Sequence, residues 1–355
     1  MCNIKKRTAM WIRISVGVAA AVFILPLLSG IDRSVQAAEK ARYLMGSTRT
    51  ISSSYPQCVA QGEVINKYAP GVAVTVVETG ASLDNLQRLR TGDIGIGSCI
   101  TNDGAAMSYK GFGKFDTPDK DLRFYFIYLM NIVHLTVRED SGITKLEELT
   151  GKKFHAGMVG AGSTYNTKEI LSALNIKPNY FVGSLADAVA AMKDNRIVGY
   201  SKAGAGFGAI DATTMDIMTR TKVRILSFTD EQMKIALKAR PGLFYGKEPA
   251  GTIKGYYKDH PEINSFANGL SLYSRNNVPQ EHGYQIMKAI VEHFDEILPT
   301  IPKTARMDPV KDTLKYGLQT AEMVGLPLHA GVVQYLQEIG QEVPSILISP
   351  EYKKP

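Results

Sequence analysis

Two short loops rich in glycine, serine and threonine carry the residues best suited to binding chemistry. Gly80-Ala81-Ser82 follows the β-branched run Val72–Glu78, and Gly162-Ser163-Thr164 follows the run Lys153–Met158. A segment with helical spacing begins directly after each loop. A helix N-terminus presents backbone N–H groups and the positive end of the helix dipole, which suits an anion. The pattern therefore predicts that both loops bind one small anion.

Two cations stand at predicted strand ends, where they could supply a counter-charge. Arg49 lies in the first loop beside Ser47 and Thr48, and Lys202 follows the strand Ile197–Ser201. A guanidinium can hold a carboxylate with two parallel hydrogen bonds, whereas an ammonium acts as a point charge. A solvated surface charge is the alternative for each of them.

Two further hydroxyl groups belong to the same candidate site. Ser98 ends the predicted strand Asp93–Ser98, and Tyr55 closes the first loop. The Tyr55 hydroxyl could face the cleft, or its ring could pack in the core.

Motifs for catalysis, metal binding or nucleotide binding are missing from the sequence. The glycine runs at 160–163 and 204–208 lack the spacing of a dinucleotide loop, and Gly111–Lys114 lacks the Ser or Thr of a phosphate-binding loop. No G-x-S-x-G elbow, H-E-x-x-H helix or zinc-type Cys/His spacing occurs. His134 and His155 have no carboxylate or nucleophile beside them in sequence. We predict a binding protein without catalytic residues, metal or cofactor, rather than an enzyme.

The elements that must position these residues alternate short strands with helices. This alternation predicts an α/β fold with largely parallel sheets. One strand–loop–helix series precedes residue 130 and a second follows it, and the apolar stretch Leu122–Val137 reads as consecutive buried strands. Open α/β sheets bind ligands at the carboxyl ends of their strands. Two lobes that face each other would therefore close on one ligand.

The N-terminal segment has the features of a secretory signal peptide. An apolar run from Ile14 to Leu28 precedes the small residues of Val35-Gln36-Ala37. Fifteen apolar residues fall short of the ~20 that a spanning helix needs, although an uncleaved anchor is the alternative. A lipid anchor is not expected, because Ile31 stands where a lipoprotein box requires cysteine. The basic residues before the apolar run are Lys5, Lys6, Arg7 and Arg13.

Cleavage of this segment would lower the net charge of the chain. We expect residues 1–37 to be removed and the remaining chain to act in the periplasm without spanning the membrane. Five basic residues and one acidic residue lie in the leader, so the formal charge of +7 falls to about +3. This small net charge argues against nucleic acid as a partner, because phosphate binding needs a clustered basic face. Cys58 and Cys99 could pair in an oxidising compartment or stay as two buried thiols.

Three motifs in the right order resemble the TAXI family of solute receptors for TRAP-type (tripartite, ATP-independent) transporters. Pro70–Leu86 is similar to the family's V-T-G-G-S-x-x-N segment, and Asp140–Gly162 carries a family-like order of glycine turns. Leu326–Gly331 and Tyr335–Gly340 look like its proline–histidine–glycine–alanine box. The likeness runs from Tyr43 to about Gly340, with His329 expected to cap or brace the last helix.

The resemblance implies a type II periplasmic-binding-protein fold, with two α/β lobes around a ligand cleft. We place the first lobe at residues 38–130 and 270–355 and the second at residues 131–269. The implied function is capture of a small organic anion, a carboxylate or an amino-acid-like solute, for an ion-gradient-driven TRAP-type permease. A receptor of an ATP-driven importer, a ligand-presenting sensor protein and an exported enzyme are the alternatives.

Carry-over of binding residues holds in two loops and fails in a third. The matching positions are Thr79, Gly80, Ser82 and Asn85 in one loop, and Gly162, Ser163 and Thr164 in the other. In the first loop Ser47, Thr48 and Arg49 replace the family's glycines. The segment Gly199–Lys202 also departs from the family pattern. These departures fall at positions that are expected to contact the ligand. The sequence therefore does not identify the ligand.

Overall fold

The computed structural model describes residues 39–240 and 242–355. The predicted signal peptide at residues 1–37 lies outside the described residues. Within the described ranges, none of the helices combines the length and the apolar character needed to cross a membrane.

Strands and helices alternate through the first three quarters of the described chain, and helices dominate the last part. The strands are β1 (Ala41–Gly46), β2 (Val72–Val77), β3 (Ile96–Thr101), β4 (Leu122–Arg138), β5 (Lys153–His155), β6 (Asn179–Tyr180), β7 (Gly199–Ala203), β8 (Val223–Leu226), β9 (Phe244–Glu248) and β10 (Ile263–Arg275). The helices are α1 (Tyr55–Tyr68), α2 (Ser82–Thr91), α3 (Asn102–Lys110), α4 (Gly162–Ala173), α5 (Leu185–Lys193), α6 (Ala212–Met218), α7 (Asp230–Ala239), α8 (Gln280–Glu292), α9 (Phe294–Ile297), α10 (Lys311–Val324) and α11 (Ala330–Glu338).

The strands form one continuous hydrogen-bonded path in the order β2-β1-β3-β10-β4-β7-β5-β6, with β8 beside β4 and β9 beside β10. β1 pairs parallel with β2 and β3, and β5 pairs parallel with β6 and β7. β10 and β4 are antiparallel to each other and to their other neighbours. The two parallel groups therefore lie on either side of an antiparallel pair of long strands.

The apolar stretch that we predicted as consecutive strands is a single strand. β4 has 17 residues, all of them buried, which corresponds to a length of about 55 Å. It pairs with β10 over one half and with β7 and β8 over the other. Because a fully buried strand is apolar on both faces, its composition does not reveal whether the chain turns within it.

Hydrophobic clusters among the described residues fall into two lobes. One large core takes its residues from 45–132 and 267–347, and three smaller clusters take theirs from 133–266. β4 and β10 pass between the cores and connect the lobes. The predicted α/β class, with two lobes around a cleft, is confirmed. The expectation of largely parallel sheets was wrong: the sheet is mixed, because the long strands β4 and β10 pair antiparallel with all their neighbours.

Helices α8 and α11 of the first lobe pack so closely that their backbones touch. A Cβ atom at Gly331 would lie 2.1 Å from the Tyr284 nitrogen and 2.3 Å from the Gln280 oxygen. We expect Gly331→Ala to lower the free energy of unfolding by about 3 kcal/mol, because neither backbone can move aside without disturbing its helix. Urea unfolding checks this value. Gly317→Ala is the matched control, since its Cβ would meet a Phe124 ring atom at 3.1 Å; an equal loss in both variants would contradict the argument.

His329 caps α11, as the sequence led us to expect. Its Nδ1 accepts a hydrogen bond from the Gly331 N–H at 3.1 Å, and its Nε2 donates to the Val278 carbonyl at 2.9 Å. The ring stacks on Tyr125 and is almost fully buried. Burial lowers the pKa of His329 from 6.5 to about 4 because the charged form loses its hydration.

This lowered pKa makes stability depend on pH. Because the folded-state pKa lies below the unfolded value, the stabilisation is complete above pH 6.5 and is lost as the pH falls toward 4. From about pH 7.5 to about pH 5, we expect this group to remove about 2 kcal/mol of unfolding free energy. Urea unfolding of the protein and of His329→Asn at both pH values isolates the contribution. An identical pH response in the two proteins would show that His329 does not cause it.

Candidate functional site

A cavity of about 50 Å³ lies between the lobes, at the ends of β1, β3 and β7 and beside the crossing strands β4 and β10. Hydroxyl, amide and small apolar side chains from both lobes surround it. Its lining residues are Thr48, Ser52, Ser54, Ala81, Ser82, Cys99, Thr101, Asn131, Gly157, Met158, Ala161, Gly162, Ser163, Ser201, Lys202, Ala203, Asn268 and Leu270. Among the predicted site residues, the structure therefore brings together Thr48, Ser82, Gly162, Ser163 and Lys202.

The N-terminus of α4 opens onto this cavity. Ala161 precedes the helix with extended backbone and makes no side-chain cap. The backbone N–H groups of Gly162, Ser163 and Thr164 have no hydrogen-bond partner among the described residues. The three amides and the helix dipole make this end of the cavity suitable for negative charge.

Lys202 brings a full positive charge to the same cavity. It lies on β7 opposite His134 of β4, and only 7% of its surface is exposed. Within residues 39–240 and 242–355 its ammonium makes no ion pair or hydrogen bond, and it is the one charged side chain that lines the cavity. A charge on a largely buried side chain is less well hydrated than one at the surface, so this ammonium favours an anion beside it.

Arg49, the other predicted counter-charge, lies outside the cavity. Its guanidinium is 53% exposed and pairs with Glu78 at 3.2 Å. It lines a separate surface groove together with Ile51, Val159 and Val182. Tyr55 is half-buried at the start of α1 and does not line the cavity either. Of the two cations that the sequence singled out, only Lys202 lines the cavity; Arg49 lines a second, more exposed groove.

The N-terminus of α2 contacts the opposite lobe. The Leu83 N–H donates to the Gly160 carbonyl at 2.9 Å, and the Asp84 N–H is 3.3 Å from the same oxygen. The Gly80 N–H donates to the Asp84 carboxylate at 2.8 Å. We predicted that both loops would present open amides, but the amides of Gly80, Ala81, Leu83 and Asp84 have partners within the protein.

The remaining predicted residues hold the loops in place. The Thr79 hydroxyl and the Asn85 amide both donate to the Ser47 carbonyl at 2.8 Å, and Asn85 also donates to the Ser98 carbonyl at 2.7 Å. The Thr164 hydroxyl donates to the Met158 carbonyl at 2.7 Å. Ser47, Thr79, Asn85, Ser98 and Thr164 thus shape the strand ends without lining the cavity.

Two asparagines of the cavity were missed by the sequence reasoning. Asn131 of β4 and Asn268 of β10 are direct register partners, and both are almost fully buried. Asn131 interrupts the otherwise apolar central part of Leu122–Val137, a signal that could have been used. Nothing local marks Asn268, because its position depends on pairing with a strand far away in sequence. Ser52, Ser54, Thr101 and Ser201 were missed as well.

Cys58 and Cys99 are two free, buried thiols whose sulfur atoms lie 2.9 Å apart. Cys99 lines the cavity and has a positive φ of 54°. The hydrogen bond from Cys58 lowers the pKa of Cys99, and the Lys202 ammonium adds to this effect. Burial raises the pKa of Cys58. The Cys99 thiol is therefore close enough to Lys202 for the ammonium charge to lower its pKa.

The histidines noted in the sequence lie in structural positions. His134 Nε2 contacts Glu248 Oε2 at 2.8 Å, and both side chains are buried away from the cavity. His155 Nδ1 accepts from the Gly157 N–H at 3.2 Å, and its other nitrogen contacts the Gly183 carbonyl. The described residues contain no group of three or more His, Cys, Asp or Glu side chains placed to hold a metal ion.

A buried polar cluster joins the lobes beside the cavity. Arg240, which follows α7, pairs with Asp103 of α3 at 3.2 Å. Asn166 of α4 donates to Asp103 at 2.8 Å and accepts from Arg240 at 2.7 Å. The Arg240 guanidinium also lies 4.9 Å from the centre of the Tyr165 ring. This cluster holds α3 of the first lobe against α4 and α7 of the second.

Comparison with known proteins gives one family match and several distant structural matches. The model of the NMT1-like family matches residues 45–340. The alkanesulfonate-binding protein of Xanthomonas axonopodis pv. citri is 14% identical over 85% of each chain, with a TM-score of 0.43. The periplasmic aliphatic sulphonate binding protein of Escherichia coli is 12% identical, covering 88% of this chain and 93% of that chain, with a TM-score of 0.44. A putative L-cystine ABC transporter protein of Listeria monocytogenes is 11% identical, covering 76% and 99%, with a TM-score of 0.47.

Proposed function

The chain belongs to the NMT1-like family, and from this premise we propose that it is a periplasmic solute-binding protein that captures a small organic anion between its lobes. One observation carries the proposal. The ammonium of Lys202, which has no partner among the described residues, and the open N-terminus of α4 line the same interlobe cavity. Two sources of positive potential at one cavity favour an anion there.

The binding step would use groups from both lobes. The ligand's anionic group would lie between the Lys202 ammonium and the amides of Gly162 and Ser163. Hydroxyl groups of Thr48 and Ser82 line the cavity from the first lobe. Because such a ligand contacts both lobes, it would stabilise the closed arrangement over an open one, with β4 and β10 as the proposed hinge. We therefore propose binding and release, with no chemical change of the ligand.

A thermal-shift panel tests the proposal. The protein purified after export would be scanned with hydroxy acids, keto acids, amino acids, dicarboxylates, aromatic acids and sulfonates. A ligand at 100 times its dissociation constant adds about 2.7 kcal/mol of stability, which raises the melting temperature measurably. No shift with any anion of the panel would contradict the proposed function.

Delivery to a membrane permease is the second part of the proposal. The resemblance to the TAXI family favours a TRAP-type permease driven by an ion gradient, and the family match to the NMT1-like model leaves this finer assignment a prediction. Uptake of a radiolabelled panel ligand by cells would fall when the gene is deleted. Loss of uptake with an ionophore at constant ATP supports the TRAP-type partner, whereas loss only after ATP depletion supports an ATP-driven importer.

Export is the remaining element of the proposal. The basic, apolar and small-residue order of the first 37 residues supports passage into the periplasm. Expression of the full chain in a bacterium, followed by N-terminal sequencing of the periplasmic fraction, should give a chain that begins at Ala38. Recovery of the intact leader in the membrane fraction would support the uncleaved anchor instead.

A further inference from the structure

Asn131 and Asn268 form a polar floor in the cavity between the lobes. They are register partners on β4 and β10, and their exposed fractions are 2% and 1%. Oδ1 of Asn131 and both Oδ1 and Nδ2 of Asn268 have no hydrogen-bond partner among the described residues. Leaving a buried polar atom unpaired costs about 1–3 kcal/mol, so these amides favour a partner within the cavity.

The charges around the cavity limit what that partner can be. Among the described residues, Lys202 is the one charged side chain in the lining, and no Asp or Glu lines the cavity. A single buried ammonium balances a single negative charge. An ammonium on the ligand would have no carboxylate to bind, and a second carboxylate would have no second cation. A monoanion without an ammonium therefore suits the cavity better than a zwitterion or a dianion.

The hydrogen-bonding capacity of the asparagine floor limits the ligand further. An asparagine amide offers both donors and acceptors. A hydroxyl or a carboxamide can both donate and accept, so it can satisfy Asn131 and Asn268 together, whereas a methyl group leaves them unpaired. The cavity volume of about 50 Å³ is small, which favours a compact ligand.

We infer that the ligand is a compact monoanion bearing a neutral hydroxyl or carboxamide group, with the anion at Lys202 and the neutral group at Asn131 and Asn268. This inference rests on the proposed function and narrows it. It selects hydroxy acids and carbamoyl acids from the carboxylates, and it disfavours the amino-acid-like solutes that the sequence left open. Asn131 and Asn268 are the residues that determine this specificity.

A matched set of small acids tests the inference by isothermal titration calorimetry on the exported protein. Lactate and oxamate carry a hydroxyl and a carboxamide, propionate carries neither, alanine carries an ammonium, and malonate carries a second carboxylate. We expect lactate or oxamate to bind at least tenfold more tightly than propionate, alanine and malonate. A site built to bond a hydroxyl strongly rejects the analogue that lacks it.

Variants of Asn268 then test whether the asparagine floor causes the preference for lactate or oxamate over propionate. Asn268→Leu keeps the side-chain size, so we expect propionate affinity to be retained and the preference for lactate or oxamate to fall to within threefold. Asn268→Asp adds a carboxylate, and we expect it to improve alanine binding at least fivefold relative to lactate. Asn264→Leu is the matched control, because Asn264 also lies on β10 with an unpartnered Oδ1 but does not line the cavity. Thermal unfolding and circular dichroism of each variant establish that it is folded.

The outcomes separate this inference from the function on which it rests. Equal affinity for lactate, oxamate and propionate, or tighter binding of alanine or malonate, overturns the inference and leaves an anion receptor. Discrimination that survives Asn268→Leu also overturns it. If none of the five acids binds but another anion of the wider panel does, the inference falls alone. If no anion of the panel binds, both fall.

Discussion

Replacing Lys202 by methionine is expected to weaken anion binding by at least 100-fold. The Lys202 side chain is largely buried and its ammonium has no partner among the described residues, and removing one partner of a buried charge pair costs about 2–5 kcal/mol. Methionine keeps the length of the side chain, so the loss reports the charge rather than a change in cavity shape. Calorimetric titration with the tightest acid of the panel measures the effect.

The same substitution is expected to have the opposite effect on the unliganded protein. An unpaired charge in the cavity opposes folding, so Lys202→Met should raise the free energy of unfolding without ligand, by about 1–2 kcal/mol. A merely structural lysine would lose stability instead. Arg49→Met is the control, because Arg49 is exposed and lies outside the cavity, and its affinity should change less than twofold. Affinity within threefold of the original in Lys202→Met would remove Lys202 from the site.

Replacing Arg240 by methionine is expected to remove about 3–5 kcal/mol of unfolding free energy. The substitution leaves the Asp103 carboxylate buried without its cation, and Asn166 loses the donor to its Oδ1. Urea unfolding of the unliganded protein gives the value. Arg196→Met, at an ion pair with both side chains more than half exposed, is the control and should change stability little.

A double substitution shows whether this loss comes from the stranded charge. Adding Asp103→Asn to Arg240→Met removes the unpaired carboxylate, so the double variant should be more stable than Arg240→Met alone. Equal or lower stability of the double variant would mean that packing of Arg240 on Tyr165 accounts for the effect.

Local patterns in the sequence were enough to predict the strands and helices that depend on neighbouring residues. A β-branched run predicted β2, and helical spacing after the two Gly/Ser/Thr loops predicted α2 and α4. Lys202 was singled out because it follows a strand, and the parallel strands of an α/β lobe end at one edge. These features depend on backbone periodicity and chain direction, which a sequence displays directly.

Side-chain direction and long-range pairing needed the tertiary structure. Arg49 and Lys202 both follow strands, yet only the packed lobes show that one pairs with Glu78 at the surface and the other faces the cavity. The amides of α2 looked as open as those of α4 until the second lobe placed the Gly160 carbonyl on them. Asn131 and Asn268 are 137 positions apart and meet only through the β4–β10 register.

The sequence by itself therefore determined the class of the fold and the strand-end positions of Lys202 and the α4 amides. The tertiary structure decided that these groups share one cavity and that Asn131 and Asn268 line it with them. The physical reason is that periodicity and chain direction are properties of neighbouring residues. A binding cavity, in contrast, is set by the burial and pairing of residues that only the packing of two lobes brings within hydrogen-bond distance.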